Sequence, residues 1–347
     1  MSSWVFLQLS KRRDIGLNKI RIGFIGTGGI AGWHAKQLLE LPEAAITALA
    51  DVSEASLDRF AGQYKLEGAE RYADYRDMLE RAQLDAVVIC SPHTQHFAQA
   101  MDVLNKGLHV LIEKPMTCSS AEAEQLIAAA ERTGKVLQVS YQRHFQPDIL
   151  YIRDAIRSGA IGRLTSITAS LYQEWKKGTT GTWRQDPSLS GGGFLMDSGS
   201  HIIDTLLWTT GLTPVEVKPQ LERHGCPVEI DTFTSIRFAE GAVAGLNLVG
   251  NAPCWHETYV FCGDEGGIFF ENGRITLRKP GQEPVVPELP AQTTNQDKSF
   301  VDAILGRHEV MVSGEFALKV VRFSEMVYEA AGYVPYAVPV GEGEQTA

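Results

Sequence analysis

Long apolar runs are missing from this 347-residue chain. None approaches the ~20 residues that a membrane-spanning helix requires, so no membrane partner is expected. Positive charge is in deficit: 32 Lys and Arg against 42 Asp and Glu leave a net charge of −10. That balance argues against nucleic acid as the main partner. Cysteine is sparse. The five cysteines (Cys90, Cys118, Cys226, Cys254, Cys262) are odd in number and form no C-x-x-C pair. A disulfide framework is therefore not expected, and a reduced, cytoplasmic protein fits best. His93 with His96, His224 with Cys226, and Cys254 with His256 each lack a third and fourth ligand, so no metal is expected. No secretory signal is legible: Trp4–Leu7 is short, the basic Lys11-Arg12-Arg13 follows it, and no small-residue cleavage site appears. Residues 1–18 read as a loosely ordered extension and residues 336–347 as a tail. Internal repeats are absent, and the proline-rich stretch Gln282–Gln292 reads as loop.

What the chain has is length and alternation. The length favours two domains over one, and 44% apolar residues suit a substantial core. From Lys19 to Ser140, strand-like runs alternate with helix-like segments. The expected strands are Ile20–Ile25, Ala45–Ala50, Ala86–Cys90, His109–Ile112 and Val136–Ser140. Such nearly continuous apolar runs fit a parallel sheet covered on both faces. The expected helices include Trp33–Leu39, Glu54–Tyr64 with Ser53 as N-cap, His96–Lys106 stopped by Gly107, and Ala121–Arg132. Ser119 and Glu122 form a capping-box pattern before the last of these, and Gly134 ends it. The pattern predicts an α/β, doubly wound parallel sheet over residues 19–140.

After Tyr141 the rhythm changes. Asp148–Ser158 reads as helix. Strand-like runs then dominate: Arg163–Glu174, Val215–Arg223, Asp231–Ala239, Ala242–Val249, Thr258–Cys262, Gly267–Phe270 and Ile275–Arg278. Glu240-Gly241 and Asn272-Gly273 sit between runs as hairpin turns. An open, mostly antiparallel sheet in an α+β domain over residues 141–335 follows, interrupted by an apolar helix over Asp197–Thr210. Lys298–Leu305 and Phe316–Ala331 read as helices, the last packing back on the first domain.

Gly26-Thr27-Gly28-Gly29-Ile30-Ala31 lies between the first strand and the first helix. That context makes a G-x-G-x-x-A match a candidate dinucleotide site. Gly26 permits the tight turn, Gly28 lets the backbone approach a pyrophosphate, and Ala31 is small enough for close helix–strand packing. The helix N-terminus offers free N–H groups and the positive end of its dipole. Asp51 ends the second strand, 20 residues beyond Ala31, where such units place an acid on the adenosine ribose. It could also serve as a turn or capping residue. A carboxylate there repels a 2′-phosphate, and no Lys or Arg occurs between Asp51 and Asp58, so NAD is favoured over NADP.

Two further loops belong at the carboxyl ends of the strands, where ligands of open parallel sheets sit. They are Ser91-Pro92-His93-Thr94-Gln95-His96 and Glu113-Lys114-Pro115. Later come Trp183-Arg184 and Gly191-Gly192-Gly193-Phe194-Leu195-Met196-Asp197-Ser198-Gly199-Ser200-His201. This set resembles the Gfo/Idh/MocA oxidoreductase family, which includes glucose–fructose oxidoreductase and inositol dehydrogenase. The resemblance covers nearly the whole chain after Asn18. It implies an N-terminal Rossmann domain and a second domain whose helices ride on an open sheet. It also implies a reactive site built from Lys114, Asp197 and His201. Relatives often have a cis peptide before the E-K-P proline, which would aim Lys114 at the nicotinamide ribose and the substrate. The family's histidine matching His96 belongs to the loop by the cofactor, whereas His93 stands where relatives commonly have asparagine.

Asp197 and His201 are four apart and so share a helix face. An isolated Asp-x-x-x-His is more simply a cap and a core histidine; the flanking glycines and E-K-P favour a site. The chemistry fits alcohol oxidation. His201 would accept the hydroxyl proton, Lys114 would hydrogen-bond the developing oxyanion, and Asp197 would position them. Gly26, Thr27, Gly28, Gly29, Ile30, Asp51, Ser91, His93, His96, Glu113, Lys114 and Gln142 are the expected cofactor contacts. Arg143, Trp183 and Arg184 are expected to join Lys114, Asp197 and His201 on the substrate, and His144 could also touch it. The expected activity is NAD-dependent oxidation of a secondary alcohol or lactol of a sugar, sugar derivative or cyclitol. A glycosidase using transient oxidation and a catalytically silent dinucleotide-binding regulator are the alternatives. The open sheet face is expected to be buried in a homodimer or homotetramer, as in relatives.

Overall fold

The computed structural model describes residues 19–335; the extension 1–18 and the tail 336–347 lie outside the described residues. Six strands form a parallel sheet: β1 (Ile20–Ile25), β2 (Ala44–Ala50), β3 (Glu70–Tyr72), β4 (Ala86–Ile89), β5 (His109–Ile112) and β6 (Leu137–Val139). Their order is β3-β2-β1-β4-β5-β6, a doubly wound arrangement whose strand order reverses between β1 and β4. Helices α1 (Ala31–Leu39), α2 (Glu54–Tyr64), α3 (Tyr75–Arg81), α4 (His96–Asn105) and α5 (Ser120–Thr133) make the crossovers. Capping explains their ends. Ser53 Oγ accepts the Ser56 N–H at the start of α2, Ser119 Oγ accepts the Glu122 N–H in α5, and Gly134 closes α5 in the left-handed conformation.

The pair β3–α3 was not expected. Glu70-Arg71-Tyr72 is a three-residue edge strand with two exposed side chains, so it carries no apolar run. Helix α3 is two turns long, starts on the Asp74 cap and is half charged.

The second sheet has seven strands: β7 (Leu164–Tyr172), β8 (Pro214–Glu222), β9 (Asp231–Phe238), β10 (Val243–Val249), β11 (His256–Gly263), β12 (Gly267–Glu271) and β13 (Arg274–Arg278). Their order is β13-β12-β11-β7-β10-β9-β8. The hairpins expected at Gly241 and at Asn272-Gly273 are present, with positive φ at all three residues. One pairing is parallel: β7 runs with β10, Ser166 opposite Val243. No hairpin dictates the direction of β7, because 41 residues separate it from β8.

Helix α6 (Pro147–Arg157) precedes this sheet. The long insert after β7 carries α7 (Trp175–Gly178), α8 (Pro187–Ser190) and α9 (Ser200–Thr210). Helix α9 is preceded by a π-helical turn over Leu195–Gly199, closed by the Gly199 N–H on the Phe194 carbonyl at 2.8 Å. The expected straight helix from Asp197 is therefore wider over its first turn. The last helices, α10 (Gln296–Ile304) and α11 (Gly314–Ala330), return to the parallel sheet: α10 packs on α1 and β5, and α11 on α5, α9 and β6. A cleft opens between the carboxyl ends of the parallel strands and the insert that follows β7.

Candidate active site

The glycine turn sits at the floor of this cleft. Gly26 has φ +87°, and a Cβ there would lie 2.8 Å from the Cys90 carbonyl oxygen, so only glycine fits between β1 and β4. Cβ atoms built on Gly28 and Gly29 would meet nothing within 4 Å among the described residues. Their bare backbone therefore faces open space. Ile30 caps α1 without any side-chain hydrogen bond among the described residues. The Gly32 and Trp33 N–H groups turn back to the Gly29 and Ile30 carbonyls, at 3.2 and 2.9 Å, so the Ile30 and Ala31 N–H groups are the ones that face an anion. Ala31 is fully buried. These features fit a dinucleotide pyrophosphate.

Asp51 stands at the end of β2. Its Oδ2 accepts the Thr27 N–H at 2.8 Å and the Thr27 hydroxyl at 2.9 Å; its Oδ1 accepts the Ser53 N–H at 2.9 Å. The carboxylate thus ties the glycine turn to the start of α2. It is only half-buried and keeps lone pairs for a ribose hydroxyl.

The cleft encloses about 510 Å³. Gly28, Gly29, Ile30, Ser91, His93, Glu113, Lys114 and Gln142 line it from the parallel sheet, and Trp175, Trp183, Arg184, Asp197 and His201 from the insert. A larger hollow of about 710 Å³ lies at the opposite, amino-terminal edge of the strands. The Arg21 guanidinium on its wall is already paired with Asp85 at 3.0 Å, and the glycine turn is at the other end of the sheet. The carboxyl-edge cleft is where ligands of this architecture bind.

Asp197 is the hub of the cleft. Its Oδ1 accepts Lys114 Nζ at 2.8 Å, and its Oδ2 accepts Trp175 Nε1 at 2.8 Å and Arg184 Nε at 3.0 Å. Lys114 Nζ also reaches the Asp197 carbonyl at 3.1 Å, and the Lys114–Pro115 peptide is cis. Burial opposes ionisation of Asp197, but Lys114 and Arg184 outweigh it and hold the carboxyl well below its usual range. Arg184 lies over the Trp183 ring, 4.5 Å from its centroid, and the Trp183 ring meets His93 edge-on at 4.8 Å.

His201 follows on the first turn of α9. Burial pushes its pKa far below the ordinary value, and the Lys114 and Arg143 charges push the same way. Its Nδ1 is buried without a partner among the described residues. His93 is likewise pushed down, to about 3, chiefly by burial. Its Nδ1 is 2.8 Å from the Ser190 carbonyl, and its Nε2 is 3.8 Å from Asp197 Oδ1.

Three residues expected at a ligand are turned elsewhere. The Arg143 guanidinium is buried against Glu257 and the Tyr259 hydroxyl on β11; it is outside the cleft lining. His144 stacks on Trp208 at 3.9 Å and bonds Asp204 at 2.7 Å. His96 has its two ring nitrogens on the Pro115 and Ser91 carbonyls, at 2.8 and 3.0 Å, so it braces the E-K-P turn and is also outside the lining. In each case proximity in sequence to a strand end did not give side-chain direction.

Other contributors carried no sequence signal. Trp175, the indole donor to Asp197, lies in no motif. Glu229 is fully buried and accepts the Gly193 N–H on both oxygens, at 2.7 and 2.8 Å, the Leu195 N–H at 3.2 Å and the Tyr328 hydroxyl at 2.9 Å. It caps the π turn that carries Asp197. Gly193 is required there because any side chain would collide with the Glu229 carbonyl.

A phosphate-ready glycine turn, a lysine–aspartate–histidine cluster and a connecting cleft define a dinucleotide-dependent oxidoreductase architecture. Residues 20–141 match the oxidoreductase family NAD-binding Rossmann fold, GFO_IDH_MocA, and residues 149–269 match the GFO/IDH/MocA C-terminal domain. The rhizopine catabolism protein MocA of Rhizobium meliloti is 31% identical over 301 residues, 84% of this chain and 88% of that protein. The D-glucoside 3-dehydrogenase of Escherichia coli is 22% identical over 90% of this chain and 95% of its own. An aldose-aldose oxidoreductase from Caulobacter crescentus, complexed with glycerol, superposes with TM-score 0.79 at 24% identity, over 90% of this chain and 98% of the other. The chain belongs to the Gfo/Idh/MocA oxidoreductase family.

Proposed function

We propose that this protein is an NAD(H)-dependent dehydrogenase that oxidises a secondary hydroxyl or lactol of a sugar, sugar derivative or cyclitol. The observation that carries the reading is the convergence of Lys114, Asp197 and His201 in the cleft that also holds the glycine turn. NAD, when bound, supplies the hydride acceptor. Gly28, Gly29 and the start of α1 would hold its pyrophosphate and Asp51 its adenosine ribose; the carboxylate favours NAD over NADP. Ser91, His93, Glu113, Lys114 and Gln142 would surround its reactive half.

The chain's own groups then divide the proton chemistry. His201, which lines the cleft with Lys114 and Asp197, would accept the substrate hydroxyl proton. Lys114 donates to the oxygen as negative charge develops on it. Asp197 fixes the Lys114 ammonium and, with Trp175 and Arg184, the wall of the cleft. Trp183 offers an apolar face to sugar C–H groups while Arg184 and Lys114 read hydroxyls. The named activity of the D-glucoside 3-dehydrogenase relative supports a sugar substrate.

The second sheet bears on assembly. Helices α9 and α11 cover one face, and α6 packs on α9. The other face exposes Phe233 on the wall of a hollow of about 470 Å³ lined by Lys218, Gln220, Ser235 and Asn247. A second copy of this chain would bury that face in a homodimer or homotetramer; a clean monomer by light scattering at micromolar concentration contradicts this.

The test of the activity is turnover of the His201→Ala and Lys114→Ala variants on a substrate found with NAD. Loss of kcat with NADH affinity retained supports the roles. Near-normal kcat in both refutes them. Aglycone release from a glycoside without net NADH would instead mark a glycosidase.

A further inference from the structure

His34 is a fully buried residue on α1 that the reaction chemistry above does not use. Its Nδ1 lies 2.8 Å from Asp297 Oδ1 and its Nε2 2.9 Å from Glu113 Oε1. Both partners are carboxylates, which only accept when ionised. A neutral imidazole carries one N–H and would set a lone pair against one of them. An imidazolium satisfies both. Burial opposes that charge and also pushes the Asp297 carboxyl up against the pull of His34, yet the two carboxylates together push the His34 pKa up to about 10; the geometry of two acceptors on one ring is what favours the imidazolium.

The three residues come from distant parts of the chain. His34 lies on the helix that follows the glycine turn, Glu113 ends β5 beside Lys114, and Asp297 lies on the first turn of α10. Glu113 differs from an ordinary buried ion-pair partner because it also lines the cleft. Its Oε2 accepts the Lys114 N–H at 3.3 Å. A buried ion pair is weak evidence for stability, since apolar residues of the same volume often do as well. One that ends on a cleft-lining carboxylate fixes the direction of that carboxylate.

We infer that Asp297, His34 and Glu113 form a buried carboxylate–imidazolium–carboxylate strut whose task is to position Glu113, and with it the Lys114 backbone, against the reactive half of a dinucleotide held by α1. His34 and Asp297 are positioning residues; neither lines the cleft. The strut also makes α10, from the far end of the chain, part of the cofactor site. This inference rests on the reading of the cleft as an NAD site.

NADH titration by fluorescence, which needs no substrate, tests it on the full chain. The set is wild type, His34→Gln, Glu113→Gln, the double variant and Asp297→Asn, each with its melting temperature. Wild type failing to bind NADH refutes the NAD reading itself. Given binding, His34→Gln and Glu113→Gln are each expected to weaken it about tenfold, and the double variant no more than the worse single one, because both remove the same strut. Asp297→Asn keeps the His34–Glu113 contact and the side-chain volume, and is expected to weaken binding about threefold. A merely structural role lowers the melting temperature and leaves the NADH affinity of the folded protein within twofold of wild type (~2-fold being the resolution of such cycles); that overturns the inference. Additive losses in the double variant also overturn it. Should His34→Gln fail to fold, unchanged NADH binding by Asp297→Asn overturns it alone.

Discussion

Replacing Asp197 by Asn is the most informative single change. The carboxylate receives donors on both oxygens: Lys114 on Oδ1, Trp175 and Arg184 on Oδ2. An amide has one acceptor and one NH₂, so either orientation turns a donor toward a donor. The Lys114 ammonium, 12% exposed, then loses its counter-charge. Breaking a buried pair costs about 3–5 kcal/mol; Arg184 is 36% exposed and solvent screens its share, so about 3 kcal/mol is expected. Across the 317 described residues that corresponds to a fall of about 4 °C in Tm for a single unfolding transition. The sign of the pH dependence follows from the depressed carboxyl. Its stabilisation is complete above the unfolded pKa of about 4 and is lost as pH falls through the folded value. The Tm gap between wild type and variant should therefore be widest at neutral pH and close in acid. Freed from its anchor, Lys114 moves off the reacting oxygen, and kcat should drop about 100-fold. Calorimetry at several pH values and initial rates read both effects. A variant with wild-type Tm and kcat at neutral pH refutes the hub.

Other outcomes follow from neighbouring sites. Glu229 is pushed up to about 7 by burial, against the donors of Gly193, Leu195 and Tyr328. The folded state thus holds a proton that the unfolded state releases near 4.5, so stability falls by up to about 3 kcal/mol as pH rises from 4.5 through 7; Glu229→Gln should flatten that slope in urea melts. Arg143→Met removes one partner of the buried Glu257 pair, and should lower stability by about 3 kcal/mol while leaving the substrate KM within twofold (~0.4 kcal/mol). Asp51→Ser should narrow the preference for NAD over NADP about tenfold by removing like-charge repulsion, read as the ratio of kcat/KM for the two cofactors.

Strands whose side chains are buried on both faces were legible because they are mostly apolar; β1, despite Arg21, and β5, after His109, have the expected bounds. Helix α2 was legible to the residue because Ser53 announces it. The edge strand β3 and the half-charged α3 carry no such pattern, since neither has two buried faces. The site divides in the same way. Lys114, Asp197 and His201 were readable as motif positions. Arg184, a donor to Asp197, was named with them. Trp175, Glu229 and Asp297 were not, because contact across the fold leaves no local trace: they lie 22 residues from Asp197, 36 from Gly193 and 263 from His34. Arg143 was misread for the converse reason. It follows a strand that ends at the cleft, but Glu257, 114 residues later, pulls its side chain into the second sheet.

The proposed reaction, hydride transfer from a polyol to NAD in the cleft between the glycine turn and Asp197, can be read as NADH fluorescence from the purified protein against inositols, aldoses, anhydrosugars and glycosides, with NADP in parallel. NADH accumulation is expected with a subset of these, with a weaker signal for NADP and loss of both in Lys114→Ala. NADH that binds tightly with no turnover on any member of the panel would contradict it and leave a dinucleotide-binding regulator in its place.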